Sequence, residues 1–432
     1  MDKKLNVLIL GSGGREHAFA YMVSKSKKLN KLYVATGNGG TNQIASNVNI
    51  DISDFKQVEN FTIANNIDMI IVGPEAPLVA GIVDYLQGVD KLSELMIIGP
   101  DKTAAQLEGS KDFAKRFMKK YNIPTAKYKS FSKSEVKDAI DFLKTLKPPY
   151  VLKADGLAAG KGVIITENLD EAITTVNQML IEEKFAKASS TILIEEFLSG
   201  IELSVFALTD GKKYVLLPEA KDYKKIGDND TGANTGGMGA VSPVPFFDKE
   251  FKDKVINKIV EPTIAGIKQE NFNYKGFVFF GLINVDREPY VIEYNVRMGD
   301  PEAQVVLPRL KTDLLELLEN VGLNRLNDAN VEFDDRAAVG IVAASGGYPD
   351  AYKKGIKIVG NTNIKNDDNI VFHAGTIVKN DELLTNGGRV LVCTALDSTI
   401  SKAVDKSYKL MSTISFDKMY YRSDIGKDLL NL

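Results

Sequence analysis

Four short apolar runs set the frame for this chain. Residues 7–10, 31–35, 69–72 and 96–98 each stop at glycine or within one residue of it, and helix-like stretches separate them. Short apolar strands alternating with helices point to a parallel, doubly wound sheet, because parallel neighbours need a crossover connection. In such sheets ligands bind beyond the C-terminal ends of the strands. The four ends carry Gly11-Ser12-Gly13-Gly14, Gly37-Asn38-Gly39-Gly40, Gly73-Pro74-Glu75 and Gly99-Pro100. That edge of the sheet is shaped for a ligand.

Beyond about residue 101 the signals change. Strands are expected around 150–166, 192–207, 277–285 and 290–295, in an antiparallel or mixed sheet, with helices over 261–269 and 312–320. From about 327 a small α+β unit follows, with strands at 337–343 and 390–394 and a helix near 401–411. The fold class is therefore α/β and α+β, multidomain.

Composition removes several function classes. The 57 acidic and 54 basic residues give a formal charge of −3, so bulk charge favours no nucleic-acid partner. The single cysteine, Cys393, excludes an intrachain disulfide framework and a multi-Cys zinc site. Two histidines, His17 and His373, leave little for His-based metal or triad chemistry. The longest apolar run, 277–285, falls well short of the ~20 residues that cross a bilayer. Residues 2–10 run from Asp2-Lys3-Lys4 straight into a strand, without the apolar segment of a signal peptide. The expectation is a cytoplasmic protein with no membrane partner.

Five segments could carry chemistry. At Gly11-Ser12-Gly13-Gly14-Arg15-Glu16-His17 a strand turns into a helix, where backbone N–H groups and the helix dipole favour a phosphate. A dinucleotide fingerprint would need glycine at position 16, which is Glu16, and an acid after the second strand, where Ala35-Thr36 stand. A small phosphate fits better than NAD, with Arg15 adding a charge-assisted contact. A tight turn without ligand is the plain alternative. Lys153-Ala154-Asp155-Gly156-Leu157-Ala158-Ala159-Gly160-Lys161-Gly162 is not a Walker A loop, since no Ser or Thr follows Lys161 and a strand, not a helix, comes next. A Gly-rich hairpin can still close over phosphates through its amides, with Lys153 as a point charge. A solvated hairpin tip is the alternative.

In Ile194-Glu195-Glu196-Phe197-Leu198, two acids interrupt an apolar strand, which is costly unless they are partnered. With Glu202 on the next strand, they could accept hydrogen bonds from adenine or ribose, or simply face solvent. The strongest local signal is Val291-Ile292-Glu293-Tyr294-Asn295-Val296-Arg297. Period 2 puts Glu293, Asn295 and Arg297 on one face. Glu and Asn offer hard oxygens to Mg²⁺, and Arg stabilises a transferring phosphoryl group. Asp300 as N-cap and Pro301 behind it are expected to start a helix. Asn234-Thr235-Gly236-Gly237-Met238-Gly239-Ala240 is too glycine-dense for a helix or strand, and is either a substrate loop or a structural turn. The lysine-rich run 221–225 ahead of it reads as a solvated face with Asp222 its only acid.

In this order the motifs resemble those of the ATP-grasp ligases, and most closely the phosphoribosylamine–glycine ligase (glycinamide ribonucleotide synthetase) family of purine biosynthesis. The likeness is carried by Gly13-Gly14-Arg15-Glu16-His17, by 72–78, by Gln106-Leu107-Glu108-Gly109-Ser110-Lys111, by 153–162, 234–240 and 297–302, by Phe372-His373-Ala374-Gly375 and by Asn386-Gly387-Gly388-Arg389. It spans nearly the whole chain. Two segments depart from the family pattern: Lys221-Asp222-Tyr223-Lys224 stands where the family often has Gln-Asp-His-Lys, and Asn295-Val296-Arg297-Met298 where it often has Asn-Cys-Arg-Phe. The first puts the role of position 223 in question.

The resemblance implies ligation of glycine to 5-phosphoribosylamine with ATP, through a glycyl phosphate. It implies a Rossmann-like (pre-ATP-grasp) domain over 1–102, an ATP-grasp domain over 103–121 and 194–326, an inserted lid over 122–193 and a C-terminal domain over 327–432. By resemblance, Lys111 and Lys153 contact ATP phosphates, and the loop with Gly156, Gly160, Lys161 and Gly162 covers them. Glu195, Glu196, Phe197 and Leu198 surround adenine, and Glu202 takes the ribose. Glu293 and Asn295 bind Mg²⁺ or Mn²⁺, and Arg297 and Lys153 are the catalytic pair. Gly13, Gly14, Arg15, Pro74 and Glu75 hold phosphoribosylamine. Asp222, Gly236, Gly237, Met238 and Gly239 lie near glycine, with Arg297 on the acyl phosphate. A monomer is expected, with transient contact to the enzyme that supplies the labile amine and no further pathway domain after Leu432. Two other readings share part of the signal: a bicarbonate-phosphorylating ATP-grasp carboxylase, and a nucleotide sensor without turnover.

Overall fold

The computed structural model describes residues 3–157, 162–182, 191–327, 331–363 and 366–431. Gly160 and Lys161 of the hairpin loop lie outside the described residues.

The four N-terminal runs form the parallel strands Leu5–Gly11, Leu29–Thr36, Met69–Val72 and Met96–Pro100. Both faces of this sheet are covered, so the strands read as continuous apolar runs. Val7 and Ile9 pack into one core with Phe19 and Leu318, while Leu8 and Leu10 pack into another with Val58 and Ile82. The helix Gly14–Ser24 is buried at every position from Gly14 to Val23, including Arg15, Glu16 and His17. A helix so enclosed presents its charged groups to other protein groups, not to water.

The parallel strands are one end of a much longer sheet. Met96–Pro100 pairs antiparallel with Tyr274–Val285, and the ladder continues through Ile201–Thr209, Tyr214–Asp222, Gly239–Ser242, Ala337–Ala344, Arg389–Asp397 and Asn369–His373. Glu288–Asn295 pairs with Tyr274–Val285 off this path. The three regions seen in the sequence thus share one hydrogen-bonded framework. The helices Glu261–Gln269, Leu314–Gly322 and Ile400–Met411 fall close to where periodicity places them.

A second, four-stranded antiparallel sheet stands apart. It orders Tyr128–Ser132, Thr191–Glu196, Tyr150–Ala154 and Val163–Thr166, and the helices Val136–Leu143 and Leu169–Leu180 cover it. Its own core includes Phe131, Leu152, Val176, Met179, Ile192 and Ile194. Thr191–Glu196 belongs to this sheet along its whole length, so a boundary placed at residue 194 cuts through a strand. At the root of this unit, the Thr125 hydroxyl donates to the Val291 carbonyl at 2.7 Å.

The expected helix start at Asp300-Pro301 is not where the structure begins the helix. The helix is the short Ala303–Val306. The Asp300 carboxylate is used elsewhere: it accepts the Arg15 N–H at 3.3 Å and the Gln304 amide at 2.8 Å. The lysine-rich run is a solvated face only in part, since Lys224 is exposed and Lys221 is not. Lys221 is buried and paired with Asp428, and Lys224 pairs with Glu202 at 2.5 Å.

Candidate active site

Lysines from two regions meet at the root of the small sheet. Lys153, on Tyr150–Ala154, and Lys115, on the helix Lys111–Lys120, both contact the Glu195 Oε2 carboxylate oxygen, at 2.9 and 3.1 Å. All three side chains are under 10% exposed. Burial pushes the Glu195 carboxyl up, but the two lysines outweigh it and hold it below the ordinary value. Burial draws the Lys115 ammonium down to about 8 against the opposing pull of Glu195. Glu195 Oε1 is buried and has no hydrogen-bond partner. Lys111 donates to the Gly156 carbonyl at 3.0 Å, so the first residues of the hairpin loop already lean on it. The Asp155 carboxylate accepts from Ser110 and from the Asp112 N–H, which ties the loop to the same helix start. Gly156 has φ +118°, a conformation that a side chain would strain. Glu196 accepts the Lys127 N–H at 2.8 Å, Phe197 is exposed, and 197–200 forms the irregular link into Ile201–Thr209.

Across from the lysines lie carboxylates. Glu202 and Asp222 share Lys224, at 2.5 and 3.7 Å. Glu293 acts on both Asp222 and Lys224 through its charge. Glu302 is buried and accepts from the Ser204 hydroxyl at 3.2 Å. Burial and the Asp222 charge push the Glu302 carboxyl up to about 7. Burial likewise raises Asp222. Glu202 also feels the charges of Lys153 and Lys221, and Glu293 acts on Lys111, so these carboxylates and the buried lysines share one electrostatic neighbourhood.

Glu293 and Asn295 lie on Glu288–Asn295, and Glu293 is exposed. Arg297 lies past the strand end, so the three residues do not share one regular strand. They are still brought together, because Arg297 Nη2 donates to Asn295 Oδ1 at 3.1 Å. A carboxylate and an amide oxygen side by side suit a hard divalent cation that keeps waters and binds nucleotide phosphates. Among the described residues no group of three or more His, Cys, Asp or Glu side chains forms a closed metal cage. A cation held by these two oxygens would complete its coordination with water and substrate oxygens.

Arginines join the N-terminal loop to this cleft. Arg297 Nη2 donates to Glu108 Oε1 at 2.7 Å, and its Nε lies 3.6 Å from Glu75 Oε2. Glu75 opens the helix Glu75–Ala80 with Pro74 as its cap residue. Burial raises the Glu108 carboxyl against the pull of Arg297. Arg15 Nε donates to Glu16 Oε1 at 2.7 Å and its Nη1 to the Met298 carbonyl at 3.1 Å. The Gly13 N–H donates to Glu16 Oε2 at 2.6 Å. Two amides of the glycine turn, Gly13 and Arg15, are therefore met by the protein's own carboxylates, Glu16 and Asp300.

The loop 234–239 lies against Pro301 and Arg389. Met238 is buried, and the Met238 N–H donates to the Tyr223 carbonyl at 2.7 Å. Gly237 has φ +112° and lies against Pro301. Tyr223 is not in the cleft chemistry: its hydroxyl donates to Asp428 at 2.5 Å and accepts the Gly426 N–H at 3.1 Å. The two histidines are structural too. The His373 N–H donates to His17 Nδ1 at 2.8 Å, and burial draws the His373 imidazole down to about 4.

Lys115, Glu302 and Arg389 were not singled out as site residues by the sequence. Glu302 and Arg389 lie inside motifs that were, but Lys115 carries no local signal beyond its place one helical turn after Lys111.

Comparison with known proteins matches the chain over nearly its whole length. The phosphoribosylglycinamide synthetase N-domain model matches residues 5–108, the ATP-grasp (A) domain model 109–303 and the C-domain model 338–428. Phosphoribosylamine–glycine ligase of Fusobacterium nucleatum is 45% identical over 425 residues, covering 98% of each chain. That of Vibrio cholerae is 44% identical over 425 residues with the same coverage. The crystal structure of the Thermotoga maritima phosphoribosylamine–glycine ligase superposes with a TM-score of 0.83 at 35% identity, covering 98% of this chain and 100% of that one. Biotin carboxylase from Campylobacter jejuni shares the fold at a TM-score of 0.75 and 14% identity, covering 98% and 93%. A protein matched by all three domain models along most of its length, with relatives this similar, is placed by them: the chain belongs to the phosphoribosylamine–glycine ligase family of ATP-grasp enzymes.

Proposed function

We propose that this protein ligates glycine to 5-phosphoribosylamine, with ATP converted to ADP and phosphate, in purine biosynthesis in the cytoplasm. The observation that carries the reading is one cleft in which Lys111, Lys115 and Lys153 lie within reach of the charges of Glu195, Glu202 and Glu293, with Arg297 between the acidic strand and the N-terminal loop.

Glycine's carboxylate is a poor acyl donor because its leaving group would be oxide. Attack of a carboxylate oxygen on the γ-phosphorus breaks the bond to ADP and forms glycyl phosphate. The amine of phosphoribosylamine then adds to the acyl carbon and expels phosphate. The protein positions the reactants and offsets charge. Lys111 and Lys153 meet the ATP phosphates under the loop carrying Gly156, Gly160, Lys161 and Gly162. Adenine lies along 195–198 and the ribose at Glu202. Glu293 and Asn295 would hold Mg²⁺ or Mn²⁺, which when bound neutralises phosphate charge. Arg297 meets the transferring phosphoryl group. Asp222 and the Gly236–Gly237–Met238–Gly239 loop hold glycine. Gly13, Gly14, Arg15, Pro74 and Glu75 hold phosphoribosylamine. The small sheet acts as the lid, and the enzyme works as a monomer.

The test is ADP release with Mg²⁺ and ATP, adding glycine and freshly generated phosphoribosylamine singly and together. Turnover only with both supports the ligase. Bicarbonate-dependent turnover, or ATP binding with no turnover, would overturn it in favour of a carboxylase or a sensor.

A further inference from the structure

The loop 234–239 is built from the central region, yet its conformation is held from the C-terminal one. The Gly236 N–H donates to the Tyr348 hydroxyl at 3.0 Å. The Gly236 carbonyl accepts from Arg389 Nη1 at 2.6 Å. Both polar groups of one peptide residue are therefore fixed by side chains more than a hundred positions away. The same Arg389 nitrogen donates to the Asp300 carbonyl at 2.6 Å and lies 3.4 Å from Asp300 Oδ1. Asp300 in turn accepts the Arg15 N–H through its other oxygen at 3.3 Å.

The contacts leave little room for alternatives. A Cβ at Gly236 would stand 3.0 Å from the Arg389 guanidinium carbon, and one at Gly237 would stand 2.5 Å from Pro301 Cδ. One at Gly388 would collide with the Tyr348 ring, so Tyr348 is seated against the backbone beside Arg389. The Arg389 side chain is 20% exposed, enclosed enough for these charge-assisted bonds to be strong. One guanidinium thus joins the 234–239 loop, the 300 loop and, through Asp300, the first turn of the N-terminal helix.

We infer that Arg389, supported by Tyr348, is a positioning residue that holds the proposed glycine loop in register with the proposed phosphoribosylamine loop. The inference rests on the ligase reading above. The side-chain polar contacts of Arg389 and Tyr348 run to Gly236, Gly237 and Asp300, which the ligase reading places with glycine and phosphoribosylamine and not with ATP.

The experiment is steady-state kinetics of the full chain and of Arg389→Ala, Arg389→Lys and Tyr348→Phe, with each of the three substrates varied in turn. Wild-type turnover on the substrate pair tests the ligase reading by itself. Arg389→Ala is expected to raise KM for glycine and for phosphoribosylamine and to lower kcat, by about 10- to 100-fold together, as a displaced loop would. KM for ATP stays within about twofold, since the charges that meet its phosphates are untouched. Arg389→Lys, whose single ammonium can approach the same two carbonyls, recovers part of the loss. Tyr348→Phe shifts the same two constants by less, and it serves as the test should Arg389→Ala fail to fold. Unchanged KM for glycine and phosphoribosylamine in both Arg389→Ala and Tyr348→Phe would overturn the inference while leaving the ligase reading intact. So would a rise in KM for ATP equal to the other two, which marks general damage.

Discussion

At the root of the four-stranded sheet, Lys111, Lys115 and Lys153 face Glu195 and Asp155. Asp222, Glu202, Glu293 and Glu302 lie around Lys224, and Glu202 and Glu293 also act on Lys153 and Lys111. Neither side is neutral in itself. Lys115, Lys153 and Glu195 are enclosed, whereas Glu202, Lys224 and Glu293 are exposed, so the cost of an unpartnered buried charge falls mainly on the lysine side. The lysine side calls for a polyanion such as a triphosphate. The acidic side calls for cations, and a divalent metal and an ammonium group both qualify. On the proposed reading, the two sides offer opposite charge to the reactants of a phosphoryl transfer.

Four substitutions sharpen or break that contrast. Arg297→Ala removes the one guanidinium touching both Glu108 and Asn295, and is expected to lower kcat by roughly 10³-fold or more while ATP still binds. Nucleotide titration beside turnover checks this, and unchanged kcat would remove Arg297 from the mechanism. On the lysine side, Lys153→Met is expected to raise KM for ATP on the order of 100-fold, a loss typical of one removed charge-assisted contact in a closed site. If the lysine side is only structural, KM for ATP will not move and Tm alone will fall.

On the acidic side, Glu293→Gln is expected to raise the Mg²⁺ concentration for half-maximal turnover about 10- to 100-fold. An unshifted Mg²⁺ curve would assign Glu293 to the solvent face. Glu302→Gln gives the smallest effect, and it appears as a pH dependence of stability. The folded protein holds the Glu302 proton up to about 7, whereas the unfolded chain releases it near its ordinary value of 4.5. Wild-type stability from this group is therefore full below 4.5 and is lost as pH rises towards 7. Glutamine does not titrate, so the Tm of Glu302→Gln relative to wild type should rise by roughly a few degrees between pH 5 and pH 8. Parallel Tm curves across that range would contradict the shared negative charge of Asp222 and Glu302.

What the sequence made legible divides along the same line. The parallel strands were readable because each is buried on both faces and so remains apolar along its length, as with Val7 to Leu10. The hairpin and the Glu293–Asn295 strand were readable because glycine spacing and alternation are local signals. The single sheet running from the N-terminal strands into the C-terminal region was not, since strand neighbours such as Gly239–Ser242 and Ala337–Ala344 are set by long-range pairing. Lys115 was invisible for a similar reason. On the helix Lys111–Lys120 it resembles any surface lysine, and only the fold brings Glu195 to it. The Asp300 expectation failed because a capping pattern does not reveal a distant competitor, here the Arg15 N–H. Tyr223, at the position that departs from the family pattern, turned out to bind the chain's own Asp428.

The most direct test of the central claim follows the oxygen. Glycine labelled with ¹⁸O in its carboxylate is incubated with ATP, Mg²⁺, phosphoribosylamine and the enzyme, and the inorganic phosphate is analysed by mass spectrometry. If the cleft phosphorylates glycine's carboxylate, the oxygen that attacked phosphorus leaves with it, and each phosphate carries one glycine-derived ¹⁸O. Phosphate free of label, alongside formation of the amide product, would contradict a glycyl phosphate and with it the division of labour assigned to the two sides of the cleft.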